Sequence, residues 1–143
     1  MPKFSKRSKG KLATCHDDLQ KLFNKVIERF DCSIICGHRG KEDQDDAFAR
    51  GVSKLRWPRS KHNKVPSLAV DVVPYPCDWE ALNAPKTFPY RYKLAMERFE
   101  KLAREVHLVS LSLGIRVRHG ADWDMDGDTG DEKFQDWPHW ELV

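Results

Sequence analysis

The sequence predicts an α+β fold: a short, mostly antiparallel sheet packed against helices. Three observations carry this. Apolar residues recur at three- and four-residue spacing in two well-separated stretches, four short apolar runs read as strands, and the two kinds of segment do not alternate as βαβ units. The 143 residues suit one domain, since domains usually run to about 100–200 residues. With 40% hydrophobic residues, one core can bury roughly two-thirds of the unfolded surface without disulfides.

Taken in order, Met1–Leu12 is basic and is expected to be a mobile lead-in to a single domain spanning residues 1–143. Leu19, Leu22, Phe23, Val26, Ile27 and Phe30 share one helical face, and Thr14-Cys15-His16-Asp17 has the form of a capping box at its start. Cys32–Cys36 reads as a buried strand closed by Gly37, followed by a short helix over Glu42–Arg50. Val52–Ser67, rich in Lys, Arg, Pro and Ser, reads as a long surface loop. Leu68–Val73 is a second strand, and a proline-rich connection leads to Pro89. The longest helix covers Tyr90–Leu113, with Met96, Phe99, Leu102, Ala103, Val106 and Val109 inward and Gly114 as its stop. Ile115–Arg118 and Trp140–Val143 complete the sheet.

The net charge of +3 hides an asymmetry. Gly120–Val143 holds eight acids and one base, Lys133, which leaves a balance of +10 on the other 119 residues. The basic body suits a polyanionic partner, nucleic acid or a bacterial envelope, and the acidic segment suits cations. No apolar run approaches the roughly 18 residues of a spanning helix, and the N-terminus lacks the apolar stretch of a secretory signal. Synthesis in a cytosolic compartment is therefore expected, where Cys15, Cys32, Cys36 and Cys77 stay reduced, and Cys32 and Cys36, in an apolar strand-like run, read as small buried residues.

Two constellations carry chemistry. Ser60-Lys61-His62 on a loop and Asp71 on the next strand can bring an imidazole and a carboxylate to one ion. Asp136-Trp137-Pro138-His139 offers a second imidazole with a carboxylate three residues before it. Two histidines and one carboxylate make a three-ligand zinc set that leaves a tetrahedral position for water. Asp136 can then take that water's proton and return it to a leaving amine, which is amide hydrolysis. With six histidines and 22 acids, spacing alone leaves other pairings open.

Ser60-x-His62 with Ala69-Val70-Asp71, followed by Asp136-Trp137-Pro138-His139-Trp140-Glu141-Leu142, resembles the zinc D-alanyl-D-alanine carboxypeptidase and dipeptidase family. Within it the chain looks most like short phage endolysins that act as L-alanyl-D-glutamate peptidases. Supporting features are Lys11-Leu12-Ala13-Thr14, Gly37-His38-Arg39, Gln44, Gly120-Ala121-Asp122-Trp123 and Leu142-Val143. The resemblance implies zinc on His62, Asp71 and His139, Asp136 as catalytic carboxylate, Arg39 stabilising the carbonyl oxygen as it gains charge, and Ser60 touching substrate. It also implies a monomer acting on peptidoglycan stem peptides, made in the host cytoplasm, reaching its substrate once the inner membrane is permeabilised, and lacking a separate wall-binding domain. One departure stands out: eight residues separate His62 from Asp71 where the family has six, and Ser67 takes the place of a glycine. This reads as an insertion around Lys64-Val65-Pro66.

Asp122-x-Asp124-x-Asp126-Gly127-Asp128 reproduces the first seven positions of an EF-hand loop, but the twelfth is Lys133 and Glu132 stands one residue early. Some of the endolysins it resembles have a calcium-responsive loop here, so Asp122, Asp124, Asp126, Asp128 and Glu132 are candidate Ca²⁺ ligands. Trp137 is a candidate substrate-facing wall, and of the remaining histidines His119 is the one expected nearest the cleft. Two alternatives accompany the endopeptidase: a carboxypeptidase trimming terminal D-alanine, and a basic nucleic-acid-binding module using Lys3, Lys6, Arg7, Lys9 and Lys11. The second lacks a recognition motif and has an acidic loop that would repel phosphates, so an anionic envelope surface is the expected partner and nucleic acid is not.

Overall fold

The computed structural model describes residues 1–143. Its elements are α1 (Lys6–Leu12), α2 (Asp17–Arg29), β1 (Cys32–Cys36), α3 (Lys41–Ala49), a 3₁₀ turn (Lys61–Asn63), β2 (Ala69–Pro74), α4 (Trp79–Asn83), α5 (Pro89–Leu113), β3 (Val117–His119) and β4 (His139–Leu142). The strands form one sheet in the order β1-β2-β4-β3, every neighbouring pair antiparallel. The expected α+β class is what the chain adopts.

Strand alternation decides what each face of the sheet carries. Side chains two apart share a face, and Val70, Val72 and Trp140 enter the core with Leu19, Leu22, Phe23 and Val26 of α2 and Leu102, Val106 and Val109 of α5. Asp71, between the valines, and His139 and Glu141, flanking Trp140, must then point to the opposite face. Register completes the arrangement: Asp71 pairs directly with His139 across β2 and β4, and with Cys36 across β1 and β2. Residues far apart along the chain are thus set side by side.

Several expectations need correction. The lead-in is not a loose tail: α1 is capped by the Ser5 side chain, buries Phe4, Ser8 and Leu12, and uses the Ser8 hydroxyl to accept the Ile34 N–H at 3.0 Å. The cap of α2 is His16, whose Nδ1 accepts the Asp18 N–H at 3.0 Å. Thr14 lies outside that helix; its hydroxyl donates to the Lys11 carbonyl and accepts from His38 N–H. The proline-rich connection contains α4, capped by Asp78. β3 begins at Val117 and includes His119, two residues later than expected, because Ile115 N–H is still tied to the Ser110 carbonyl at the end of α5. On α5 it is Ala95 that is buried, with Met96 only half-buried.

Cys15 and Cys32 are buried free thiols, and burial pushes both up to about 12, so they are inert packing residues. His119 is a core histidine. Its ring stacks on Trp140 with centroids 4.0 Å apart, and its Nε2 donates to the Trp137 carbonyl at 2.8 Å. Burial holds its pKa down at about 4, against 6.5 for a free imidazole. The unfolded chain takes this proton first, so stability is full above pH 6.5 and is lost as pH falls towards 4, by about 3 kcal/mol in total. Urea unfolding at pH 7.5 and 4.5 is expected to show this loss, and His119→Phe should flatten it; equal slopes in both proteins would contradict the assignment.

Candidate functional site

The polar face of the sheet opens into a cleft of about 480 Å³ lined by Arg39, Ser60, His62, Asp71, Asp136 and His139 among others. Asp71 is its centre. Its Oδ1 lies 3.3 Å from His62 Nε2 and 3.3 Å from His139 Nδ1, and the two imidazoles meet edge to face with centroids 5.1 Å apart.

The other nitrogen of each ring is already committed. His62 Nδ1 donates to the Gly37 carbonyl at 2.7 Å, and His139 Nε2 donates to Glu141 Oε1 at 2.9 Å. With an ion in place these bonds would fix the tautomers, leaving the lone pairs of His62 Nε2 and His139 Nδ1, on the Asp71 side, for the ion. Glu141 is itself neutralised by Lys61 at 3.2 Å, and Lys61 also donates to the Leu142 carbonyl. Two neutral imidazoles and one carboxylate, each backed by an acceptor or a cation, form a donor set that suits a divalent ion such as zinc. Without an ion the charges lean on one another. Burial disfavours charge on all three, but the hydrogen bonds to Asp71 outweigh it, raising both histidines and holding Asp71 well below the usual carboxylate range.

Local structure explains why these side chains stay in place. Ser60 caps the 3₁₀ turn, accepting the His62 N–H, while Ser60 N–H donates to Asn63 Oδ1. The eight-residue spacing costs His62 nothing: Leu68 N–H returns to the Lys61 carbonyl at 3.1 Å, and the intervening Lys64, Val65 and Pro66 bulge into solvent. Ser67, at the family's glycine position, is fully buried and hydrogen-bonds the Ala69 carbonyl. At the other end, Gly120 and the Asp136–His139 segment are bonded reciprocally, Gly120 N–H to His139 O at 2.7 Å and Asp136 N–H to Gly120 O at 2.8 Å. A Cβ at residue 120 would sit 2.2 Å from the Asp136 carbonyl, so only glycine permits this approach.

Asp136 is half-buried and contributes a carboxylate oxygen to a group with Asp71 and His139 whose atoms all lie within 4.8 Å of one another. Burial, and then the charge of Asp71, raise it to about 6. Arg39 extends its guanidinium to within 3.5 Å of Asp71 Oδ2 and donates to Gln44 Oε1 at 3.1 Å. Gln44 has zero exposure and spends its whole amide: Oε1 also accepts from Asn63, and Nε2 donates to Ser53 Oγ and the Leu55 carbonyl. It ties Arg39, the 3₁₀ turn and the 53–55 loop together, a role that no spacing rule reveals.

Two placements differ from expectation. Cys36, read as a simple buried residue, is half-buried at the site, its sulfur 3.8 Å from His62 Nδ1 and 3.7 Å from the Arg39 guanidinium. Its sulfur forms a second possible ligand group with His62 and Asp71, the three ligand atoms all lying within 4.8 Å of one another. Trp137 does not line the cleft; its ring packs edge-on to His119, and the aromatic wall is made by Trp123 and Phe134.

In the acidic loop, Asp122, Asp124 and Asp126 converge as the alternation suggests, while Asp124 also gathers with Asp131 and Glu132. Gly127 takes the left-handed conformation (φ 86°) that the sixth loop position requires. Asp128 turns away to accept the Gly130 N–H, and Asp131, not foreseen from the sequence, takes its place. Trp123 connects this loop to the site: its Nε1 donates to the Phe134 carbonyl and its ring lies 5.3 Å from that of His139.

The chain matches the family model of phage L-alanyl-D-glutamate peptidases over residues 1–143. It is 34% identical, over 149 aligned positions, to the L-alanyl-D-glutamate peptidase of Escherichia phage T5, covering 99% of this chain and 98% of that one. The crystal structure of the Serratia marcescens L-Ala D-Glu endopeptidase ChiX shares its fold, with a TM-score of 0.67 at 23% identity over 98% of this chain and 89% of that one. By sequence along its whole length, and with a fold to match, the chain belongs to the phage L-alanyl-D-glutamate peptidase family.

Proposed function

We propose that the protein is a zinc-dependent endolysin that cleaves the L-alanyl-D-glutamate bond of peptidoglycan stem peptides, with the ion on His62, Asp71 and His139. The observation that carries this is the convergence of two tautomer-fixed imidazoles on Asp71 Oδ1, each at 3.3 Å. Zinc bound there would supply Lewis acidity, making water acidic enough to lose a proton near neutral pH. Asp136 takes that proton as water attacks the alanyl carbonyl, and returns it to the departing D-glutamate nitrogen. Arg39, held by Gln44 and Asp71, offers a fixed cation to the carbonyl oxygen as it gains negative charge. Ser60 acts by capping the turn that carries His62.

The test is chemical. Mass analysis of digested peptidoglycan should find a new D-glutamate amino terminus, and metal analysis should find one zinc per chain. Release of free D-alanine instead would make the protein a carboxypeptidase. No helix is long and apolar enough to cross a membrane; the reading places synthesis in the host cytoplasm, with access after the inner membrane is permeabilised.

We also propose Ca²⁺ in the acidic loop, held by Asp122, Asp124, Asp126, Asp131 and Glu132. Converging carboxylates repel unless a cation compensates, and a cation there would stiffen the segment that ends at Asp136. Calcium at about 100-fold over its Kd is expected to raise Tm by about 5–11 °C. No shift and no heat of binding at millimolar calcium would remove this second ion.

A further inference from the structure

Four cations line the cleft, and three are occupied. Arg39 faces Asp71 at 3.5 Å, Lys61 pairs with Glu141 at 3.2 Å, and the Lys54 ammonium lies 4.4 Å from the centroid of the Phe134 ring. The fourth, Arg59, is exposed and has neither a carboxylate partner nor a side-chain hydrogen bond. Its backbone, by contrast, is held: Arg59 N–H donates to the Arg56 carbonyl at 2.8 Å, and the next residue, Ser60, begins the capped turn that carries His62. An anchored cation left unpaired beside the ligand face is placed to receive an anion from outside the protein.

The substrate class supplies one. Glutamate has two carboxyl groups, and continuing the peptide uses one of them. A residue acylated by L-alanine on its nitrogen therefore keeps one carboxylate close to the scissile bond, on the leaving-group side. Resting on the endopeptidase reading above, we infer that Arg59 is the specificity residue that binds this free D-glutamate carboxylate. The guanidinium fork matches a carboxylate with two parallel N–H donors, a geometry that an ammonium cannot reproduce. The same fork would disfavour an amidated group: a carboxamide keeps one acceptor oxygen but brings an N–H₂ donor, and no charge, to a group that can only donate.

The experiment compares two peptides that differ only in that group, one with the free D-glutamate carboxylate and one with it amidated. The zinc-loaded wild-type protein should cleave the carboxylate form with a kcat/KM about 10- to 100-fold higher, the worth of one charged hydrogen-bonded pair. Arg59→Gln should lose that preference by slowing the carboxylate peptide alone, and Arg59→Lys should restore only part of it. Calorimetry with the D-glutamyl product peptide should show weaker binding to Arg59→Gln by a similar factor. Cleavage of both peptides at equal rates by the wild type, an equal slowing of both by Arg59→Gln, or a loss of preference in Lys54→Met but not in Arg59→Gln would each overturn the assignment while leaving the endopeptidase intact. Failure of the wild type to cleave either peptide would instead overturn the endopeptidase reading, and the product-binding comparison would then decide the role of Arg59.

Discussion

Asp136→Ala is expected to keep one zinc per chain while kcat falls by about 10²–10⁴-fold, the usual worth of a positioned proton carrier. The reasoning is geometric. The Asp136 side chain makes no hydrogen bond, while its backbone does the structural duty: its N–H bonds the Gly120 carbonyl and its carbonyl accepts the His139 N–H at 3.1 Å. Truncation at Cβ therefore leaves His139 where it is. The carboxylate nevertheless lies in one cluster with Asp71 and His139, close enough to be a ligand rather than a base. The two roles predict opposite metal contents. Retained zinc with lost turnover identifies the base, and Asp136→Asn, which keeps the shape, should be as inactive. Zinc lost together with turnover would make Asp136 a fourth ligand and close the position that water needs.

Much of this was legible along the chain, for a physical reason. Period-two alternation in Val70-Asp71-Val72 and His139-Trp140-Glu141 separates core from site in the sequence itself, so the polar face of the sheet can be read before any coordinates. Elements without an apolar period could not be read that way. Helix α1, Lys6-Arg7-Ser8-Lys9-Gly10-Lys11-Leu12, has almost none, and is held instead by Phe4, Leu12 and one hydroxyl bonded to a strand N–H. The position of Cys36 depends on the irregular β1–β2 register between Ile34 and Cys36, which no local pattern encodes. In the acidic loop, Met125 (φ 59°) and Gly127 (φ 86°) both take the left-handed conformation, so strand-like alternation does not govern which carboxylates meet, and Asp131 rather than Asp128 stands in the cluster. Glu141 stood in the motif without a role, because its use depends on knowing which nitrogen of His139 faces inward.

That nitrogen is the subject of the second large effect. His139→Ala should lose both zinc and hydrolysis, with the fold monitored by thermal unfolding to separate metal loss from collapse. His139 is 8% exposed at the centre of the sheet, paired across the strands with Asp71. Removing its ring takes away one donor and leaves the Asp71 and Glu141 carboxylates without the ring that bridges them. Glu141→Gln is the graded companion. It removes the charge that backs His139 Nε2 but keeps an acceptor oxygen, and losses of such outer partners cost about 10–100-fold in metal affinity. Excess zinc should therefore restore hydrolysis to Glu141→Gln and not to His139→Ala. If His139→Ala held stoichiometric zinc, the ion would have to rest on Cys36, His62 and Asp71, a group whose ligand atoms also lie within 4.8 Å of one another, with the Cys36 sulfur in place of the His139 nitrogen.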